Sequence, residues 1–127
     1  MEVIVADSSV LIDHLRGKES SRQALRAARS GGARVRASVL TRTELLVGMR
    51  AYQKRLTQRL VDEIEWIAVD EWIADRAGEL GRRYRASHHG IGVIDLVIAA
   101  TVESEQGRLW TSNVKHFPMF ESLEAPY

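Results

Sequence analysis

The 127-residue chain contains no cysteine, so a disulfide framework, a catalytic thiolate and a cysteine-ligated zinc site are all excluded. It has only two prolines, and no apolar run approaches the roughly 20 residues that a membrane-spanning helix needs. Its first residues also lack the basic region and longer apolar stretch of a secretory signal. Because 45% of the residues are apolar, we expect one globular domain over residues 1–127. The lack of a signal-like start and of a spanning segment leads us to expect it in the cytoplasm.

The net charge is only +1, but the charges are unevenly distributed. Residues 1–15 hold three acids and no lysine or arginine, residues 16–59 hold 12 bases against two acids, and residues 60–127 hold six bases against 12 acids. Fifteen of the 18 bases are arginine, whose planar fork matches phosphate. The basic segment is typical of a nucleic-acid-binding surface and equally of solvated helix faces, so charge alone leaves both readings open.

Short apolar runs alternate with amphipathic segments along the chain. We expect strands over residues 3–6, 34–38, 66–69 and 108–111, with a fifth short strand near 122–124. Six helical segments separate them: a short helix after Asp7 that ends at Gly17, and helices over about 20–30, 39–50, 53–63, 70–87 and 91–105. This order predicts an α/β fold with a mainly parallel sheet of four or five strands, covered on both faces. Functional sites in such sheets form beyond the carboxyl ends of the strands.

Two acidic residues stand in positions that favour a site at this edge. Asp7 directly follows the first strand, where it is either a helix cap or a functional carboxylate. Glu44 shares a helix face with the apolar Leu40 and Val47, and is either a ligand or a glutamate at the solvent edge.

A third acid, Asp95, interrupts the otherwise uncharged and mostly apolar segment 91–100. At helical spacing it lies on an apolar stripe, where an unpaired carboxylate costs several kcal/mol and needs a cation, a metal or a proton. A structural ion pair is one explanation. Three inward-facing acids at one sheet edge would repel one another, and a hard cation such as Mg²⁺ or Mn²⁺ would relieve that repulsion. Metal, acids and an arginine-rich flank together indicate phosphodiester hydrolysis.

Four segments in order carry a family resemblance: Asp7-Ser8-Ser9, Thr43-Glu44-Leu45-x-x-Gly48, Asp95-Leu96-x-Ile98-Ala99-Ala100, and the segment 109–117. With these motifs the chain resembles PIN-domain ribonucleases, and specifically VapC-type toxins of bacterial toxin–antitoxin pairs. The resemblance covers essentially the whole chain. It implies a three-layer α/β/α fold, an endoribonuclease that uses Mg²⁺ or in its place Mn²⁺, and tRNA or other structured RNA as substrate. It also implies a cognate antitoxin and a homodimer.

The resemblance also implies roles for individual residues. Asp7 and Asp95 would bind the metal directly, and Glu44 directly or through water. Asn113 matches the position of a fourth acid and would belong to the catalytic set, while His116 stands where the family frequently has Asp. The remaining candidates are hydroxyls that orient the acids and basic groups that contact RNA: Ser8 and Thr111 for the first role, and Arg82, Arg83, Arg85 and His116 for the second.

Two alternatives stay open at this point. One is a catalytically silent PIN-like module that binds RNA or a protein partner, since an acid is lacking at both of the last two positions. The other is a DNA nuclease, because the same metal chemistry cleaves either backbone. Apolar residues of the third and fourth helices, including Leu45, Leu46, Met49, Tyr52 and Leu56, form either an antitoxin groove or ordinary core.

Overall fold

The structure, a computed structural model, describes residues 2–127. Its strands are β1 (Val3–Ala6), β2 (Arg34–Ser38), β3 (Glu65–Ile67) and β4 (Arg108–Trp110). Its helices are α1 (Ser8–Leu15), α2 (Glu19–Ser30), α3 (Val39–Gly48), α4 (Lys54–Glu63), α5 (Glu71–Tyr84) and α6 (Val93–Glu105). Two 3₁₀ turns occupy Ala51–Gln53 and Val114–His116.

The strands form one parallel sheet in the order β3-β2-β1-β4. Alternate β1 residues point to opposite faces, as the period of a strand requires. Val5 packs into a core shared with α5 and α6, whereas Ile4 and Ala6 pack into a second core with α1, α2, α3 and α4. The sheet is therefore covered on both faces, and the predicted three-layer α/β/α fold is confirmed with four strands.

Several details differ from the prediction: besides shifts of up to three residues at the ends of other elements, such as α5, which ends at Tyr84 and not near 87, there are three further differences. Strand β3 is shifted, because Trp66 pairs with Ala37 and the strand begins at Glu65, whose carboxylate binds Arg34 of the neighbouring strand. The expected fifth strand near 122–124 was wrong, since Ser122 has a left-handed backbone (φ 58°) that breaks an extended run. Helix α6 begins at Val93 and not at residue 91, because Gly92 takes the extended backbone of an N-cap.

Capping side chains fix the strand-to-helix turns on the carboxyl side of the sheet. Ser38 accepts a hydrogen bond from the Leu40 N–H at the start of α3, and Asp70 accepts one from the Ile73 N–H at the start of α5. Helix α1 starts immediately after β1 in the same way. Within residues 2–127, no helix has both the length and the apolar character needed to cross a bilayer.

Candidate active site

Asp7 is buried at the carboxyl end of β1, with 7% of its surface exposed. Its Oδ1 accepts hydrogen bonds from the Ser9 backbone N–H (3.0 Å) and the Ser9 hydroxyl (2.5 Å), and its Oδ2 accepts one from the Thr111 hydroxyl (2.6 Å). Burial raises the pKa of Asp7 above its usual 3.8, although these hydrogen bonds favour the charged form. The residue is thus both the cap of α1 and a fixed carboxylate.

Thr111 reaches Asp7 because β1 and β4 are adjacent parallel strands, in which Ala6 pairs with Trp110. The Asp7 N–H donates to the Trp110 carbonyl at 3.0 Å, so the residues that follow the two strands lie side by side. The Thr111 hydroxyl also accepts from the Asn113 N–H at 2.9 Å. The fully buried Thr111 therefore couples Asp7 to the segment that carries Asn113.

Glu44 lies half-buried in α3 and faces the start of α1. Burial raises the pKa of Glu44 above its usual 4.5, and the negative charges of Asp7 and Asp95 raise it further, while the Ser8 hydroxyl opposes this shift. Val47, expected on the same apolar face, is 81% exposed. Glu44 thus sits at the edge of the core, close enough to two other acids to feel their charge.

Asp95 lies in the first turn of α6, where its side chain is 24% exposed. Asp95 lies on the expected apolar stripe, since Ile91, Ile98, Ala99 and Val102 are all buried, but the later start of the helix leaves its carboxylate near the open end. Its Oδ2 accepts a hydrogen bond from the Gly92 N–H at 3.1 Å and lies 3.3 Å from Nδ1 of His116. His116 is thus the basic partner of this carboxylate.

One cleft of about 390 Å³ brings most of the predicted site residues together. Its lining includes the three acids and also Ser8, Asn113 and His116, with the exposed apolar Val93 and Ile94 among the other residues. Ser9 was missed, because the pair Ser8-Ser9 looks symmetrical in the sequence. Because Asp7 has an extended backbone and α1 begins directly after it, the Ser9 hydroxyl donates to Asp7, while the Ser8 hydroxyl lies beside Glu44.

The predicted RNA-contacting arginines lie at the end of α5. Gly81 packs against Leu96, and Arg76 forms an ion pair with Glu103, so α5 runs antiparallel to α6. The exposed Arg82, Arg83 and Arg85 therefore reach the same end of the helix pair as Asp95, although none of them forms an ion pair with an acid among residues 2–127. The following loop approaches the cleft at Gly90, beside Nε2 of His116.

The donor set of the cleft suits a hard divalent cation. Three carboxylates share one cleft, and the charges of two of them disfavour ionisation of the third. Among residues 2–127, no three histidine or acidic side chains lie close enough together to hold a metal ion by themselves. A hard divalent cation such as Mg²⁺ usually keeps several waters and is bound through only one or two carboxylates plus substrate phosphates, so it does not require three protein ligands. Asp7, Asp95 and Glu44 are the residues that could hold it.

The fold and this acidic cleft define a class of protein: the PIN domain family model matches residues 4–117, and the chain belongs to that family. Within the family, it is 45% identical over 125 residues to Ribonuclease VapC10 of Mycobacterium tuberculosis, covering 98% of this chain and 93% of that protein. It is also 40% identical over 121 residues to Ribonuclease VapC19 of the same organism, covering 95% and 97%. The predicted family is confirmed.

A solved structure shares the fold over nearly the full length. A toxin–antitoxin complex from Klebsiella pneumoniae includes a chain with a TM-score of 0.82 and 27% sequence identity, covering 98% of both chains. The VapBC2 complex of Rickettsia felis, bound to a promoter DNA fragment, reaches a TM-score of 0.81 at 19% identity, with 97% and 96% coverage. The likeness in fold therefore extends well beyond the motifs.

Proposed function

We propose that this protein is an endoribonuclease dependent on Mg²⁺ or Mn²⁺ and the toxin of a toxin–antitoxin pair, acting in the cytoplasm as one PIN domain over residues 1–127. Relatives named as ribonucleases, 45% and 40% identical over almost the whole chain, support cleavage of RNA over DNA. The observation that carries the proposal is the cleft in which Asp7, Glu44 and Asp95 meet.

Asp7, Asp95 and Glu44 would hold the cation, and Asn113, which lines the same cleft, would complete the catalytic set. A bound Mg²⁺ or Mn²⁺ supplies positive charge that offsets the negative charge developing on a phosphodiester during hydrolysis. Ser9 and Thr111 keep both oxygens of Asp7 oriented, and Ser8 adjoins Glu44. His116 holds Asp95, and Arg82, Arg83 and Arg85 provide positive charge for the RNA backbone at the same end of the fold.

Exposed apolar side chains on α3 and α4 support a protein partner. Leu46, Val47 and Leu56 are 45%, 81% and 43% exposed, and apolar groups in such positions favour a protein interface. Leu45, by contrast, is buried core. The neighbour from Klebsiella pneumoniae is a toxin–antitoxin complex, so we assign a cognate antitoxin to this surface and expect the toxin itself to be a homodimer.

Cleavage of total RNA by the purified protein tests the proposal. We expect cleavage with Mg²⁺ or Mn²⁺, none in EDTA, and a loss of about 10²-fold or more for Asp7→Asn and for Asp95→Asn, because each removes a charge at the reacting centre. Asp75→Asn is the matched control, since Asp75 is exposed on α5 and lines no part of the cleft. Induced expression should arrest growth, and co-expressed antitoxin should restore it.

Cleavage by Asp95→Asn at the wild-type rate would reject the site assignment, and wild-type cleavage that persists in EDTA would reject the metal. RNA binding without turnover at any Mn²⁺ concentration would instead identify a silent binding module. Preference for DNA over RNA in the same assay would identify a DNA nuclease.

A further inference from the structure

The basic segment 16–59 divides into paired and unpaired bases. Four of its 12 bases form ion pairs with acids: Lys18 with Asp13, Arg29 with Glu63, Arg34 with Glu65, and Arg36 with Glu105. Across residues 2–127, the other eight have no acidic partner within 4.0 Å. Their charge is free to meet an external anion.

Two of these unpaired bases, Arg16 and Arg50, line a groove of about 370 Å³ between α1 and α3. Glu44 lines both this groove and the active-site cleft, so the two depressions adjoin at that residue. Apolar side chains such as Leu15 and Met49 contribute to its lining, and Glu44 is its only acid.

The far end of the groove reaches Tyr52, whose side chain is 80% exposed. Tyr52 also borders a second depression with the unpaired Lys54, Arg55 and Arg59. The path therefore leads from the carboxylates, past two arginines, over an exposed aromatic ring and onto a basic helix face. An exposed ring beside arginines is typical of single-stranded nucleic-acid surfaces, where bases stack and phosphates pair.

We propose that RNA on one side of the cleaved bond runs along this groove, with Arg16 and Arg50 on its phosphates and Tyr52 stacked on a base. This inference rests on the proposed ribonuclease function. Helix α3 rises about 6 Å from Glu44 to Gly48, the length of roughly two stacked nucleotides. Tyr52 lies past the end of α3, so a substrate must extend more than two nucleotides past the cleaved bond to reach it. The apolar lining would also accept a protein segment, but the unpaired arginines and the position of the groove beside the cleft favour RNA.

Fluorescence anisotropy with labelled single-stranded RNA of 12 and of four nucleotides tests this path, in EDTA to prevent turnover. For the 12-nucleotide RNA, we expect Arg16→Gln/Arg50→Gln to weaken binding about tenfold. The slope of log K against log salt should become shallower by about 1.4, or roughly 0.7 for each arginine that no longer meets a phosphate. The four-nucleotide RNA should respond less, because with the cleaved bond at its centre only two of its nucleotides enter the groove. The matched control is Arg22→Gln/Arg26→Gln, which removes two charges from α2 that likewise have no acidic partner among residues 2–127 and line no part of the groove.

Tyr52→Ser supplies an independent variant. It should weaken binding of the longer RNA about tenfold without changing the salt slope, because stacking releases no counterions. Thermal unfolding of each variant verifies the fold, and all three groove side chains are exposed.

If wild-type protein binds and cleaves RNA but the groove variants behave like the α2 control, the path is wrong while the proposed function stands. If wild-type protein neither binds nor cleaves RNA, the proposed function fails and the path with it. If the groove variants lose affinity for the antitoxin and keep full RNA affinity and slope, the occupant is protein, which overturns the RNA assignment.

Discussion

The two aspartates at the cleft are held by contrasting means. Asp7 is buried at a strand end, and hydrogen bonds from Ser9 and Thr111 occupy both of its oxygens. Asp95 is partly exposed in the first turn of a helix, and its Oδ2 is shared by the Gly92 N–H and His116. The sheet thus fixes one carboxylate, while a helix cap and one side chain hold the other. Removing a hydrogen-bond partner of Asp7 should consequently reduce cleavage more than removing a partner of Asp95.

Thr111→Val should have the largest effect, because it removes the hydroxyl that donates to Asp7 and accepts from the Asn113 N–H. Loss of an orienting partner typically costs 10–100-fold, and we expect a fall in cleavage rate of about that size. Leaving a buried partner unsatisfied should also lower the free energy of unfolding by about 1–3 kcal/mol. RNA cleavage kinetics and urea unfolding measure the two effects.

Thr101→Val is the matched control for this prediction. Thr101 is equally buried, but its hydroxyl donates only to the Val97 carbonyl within α6. It should change stability without a comparable loss of cleavage, and Thr111→Ser should restore most of the activity. Equal losses of cleavage from both valine variants would mean that Thr111 acts only through stability.

His116→Gln should have a smaller effect. The contact between His116 Nδ1 and Asp95 Oδ2 is 3.3 Å long, and the two side chains are 39% and 24% exposed. Partly exposed ion pairs contribute about 1 kcal/mol or less, so we expect cleavage to slow by at most about fivefold. Single-turnover cleavage beside Thr111→Val measures the difference. A loss as large as that of Thr111→Val would erase the contrast between the two aspartates.

The sequence was sufficient for the architecture and for the three acids, because strand and helix periods mark the elements and parallel strands share a carboxyl edge. The sequence did not predict side-chain positions that depend on the conformation of a single backbone turn. Because α6 starts two residues after Ile91, Asp95 lies in its first turn, and its carboxylate is partly exposed at the open end of the apolar stripe. In the same way, the first turn of α1 selects Ser9 over Ser8 as the partner of Asp7.

The basic segment is the clearest case of information absent from the sequence. Arg34 and Arg36 look no different from Arg16 and Arg50 in composition, yet the first two lie on a strand and are neutralised by Glu65 and Glu105. Pairing depends on which acids the topology brings near, and those acids are about 30 to 70 residues away along the chain. Only the folded structure separates structural arginines from those available to a ligand.

Glu44→Gln should give the smallest effect, a gain in stability at neutral pH. The folded protein holds Glu44 with a raised pKa, through burial and then the charges of Asp7 and Asp95, so its ionised form is disfavoured in the fold. The penalty is complete above the raised pKa and vanishes below the usual value of 4.5, where the side chain is protonated whether or not the chain is folded.

Removing the charge should therefore raise the Tm at pH 7 by up to a few degrees, since about 1 kcal/mol corresponds to roughly 4 °C in a domain of this size. The gain should shrink as the pH falls toward 4.5. Calorimetry between about pH 4 and 8 measures this trend, with Glu124→Gln as an exposed control that should show none. A gain in Tm that stays constant across this range would show that the charge of Glu44 is not the cause, and that the negative charges in the cleft do not destabilise the fold.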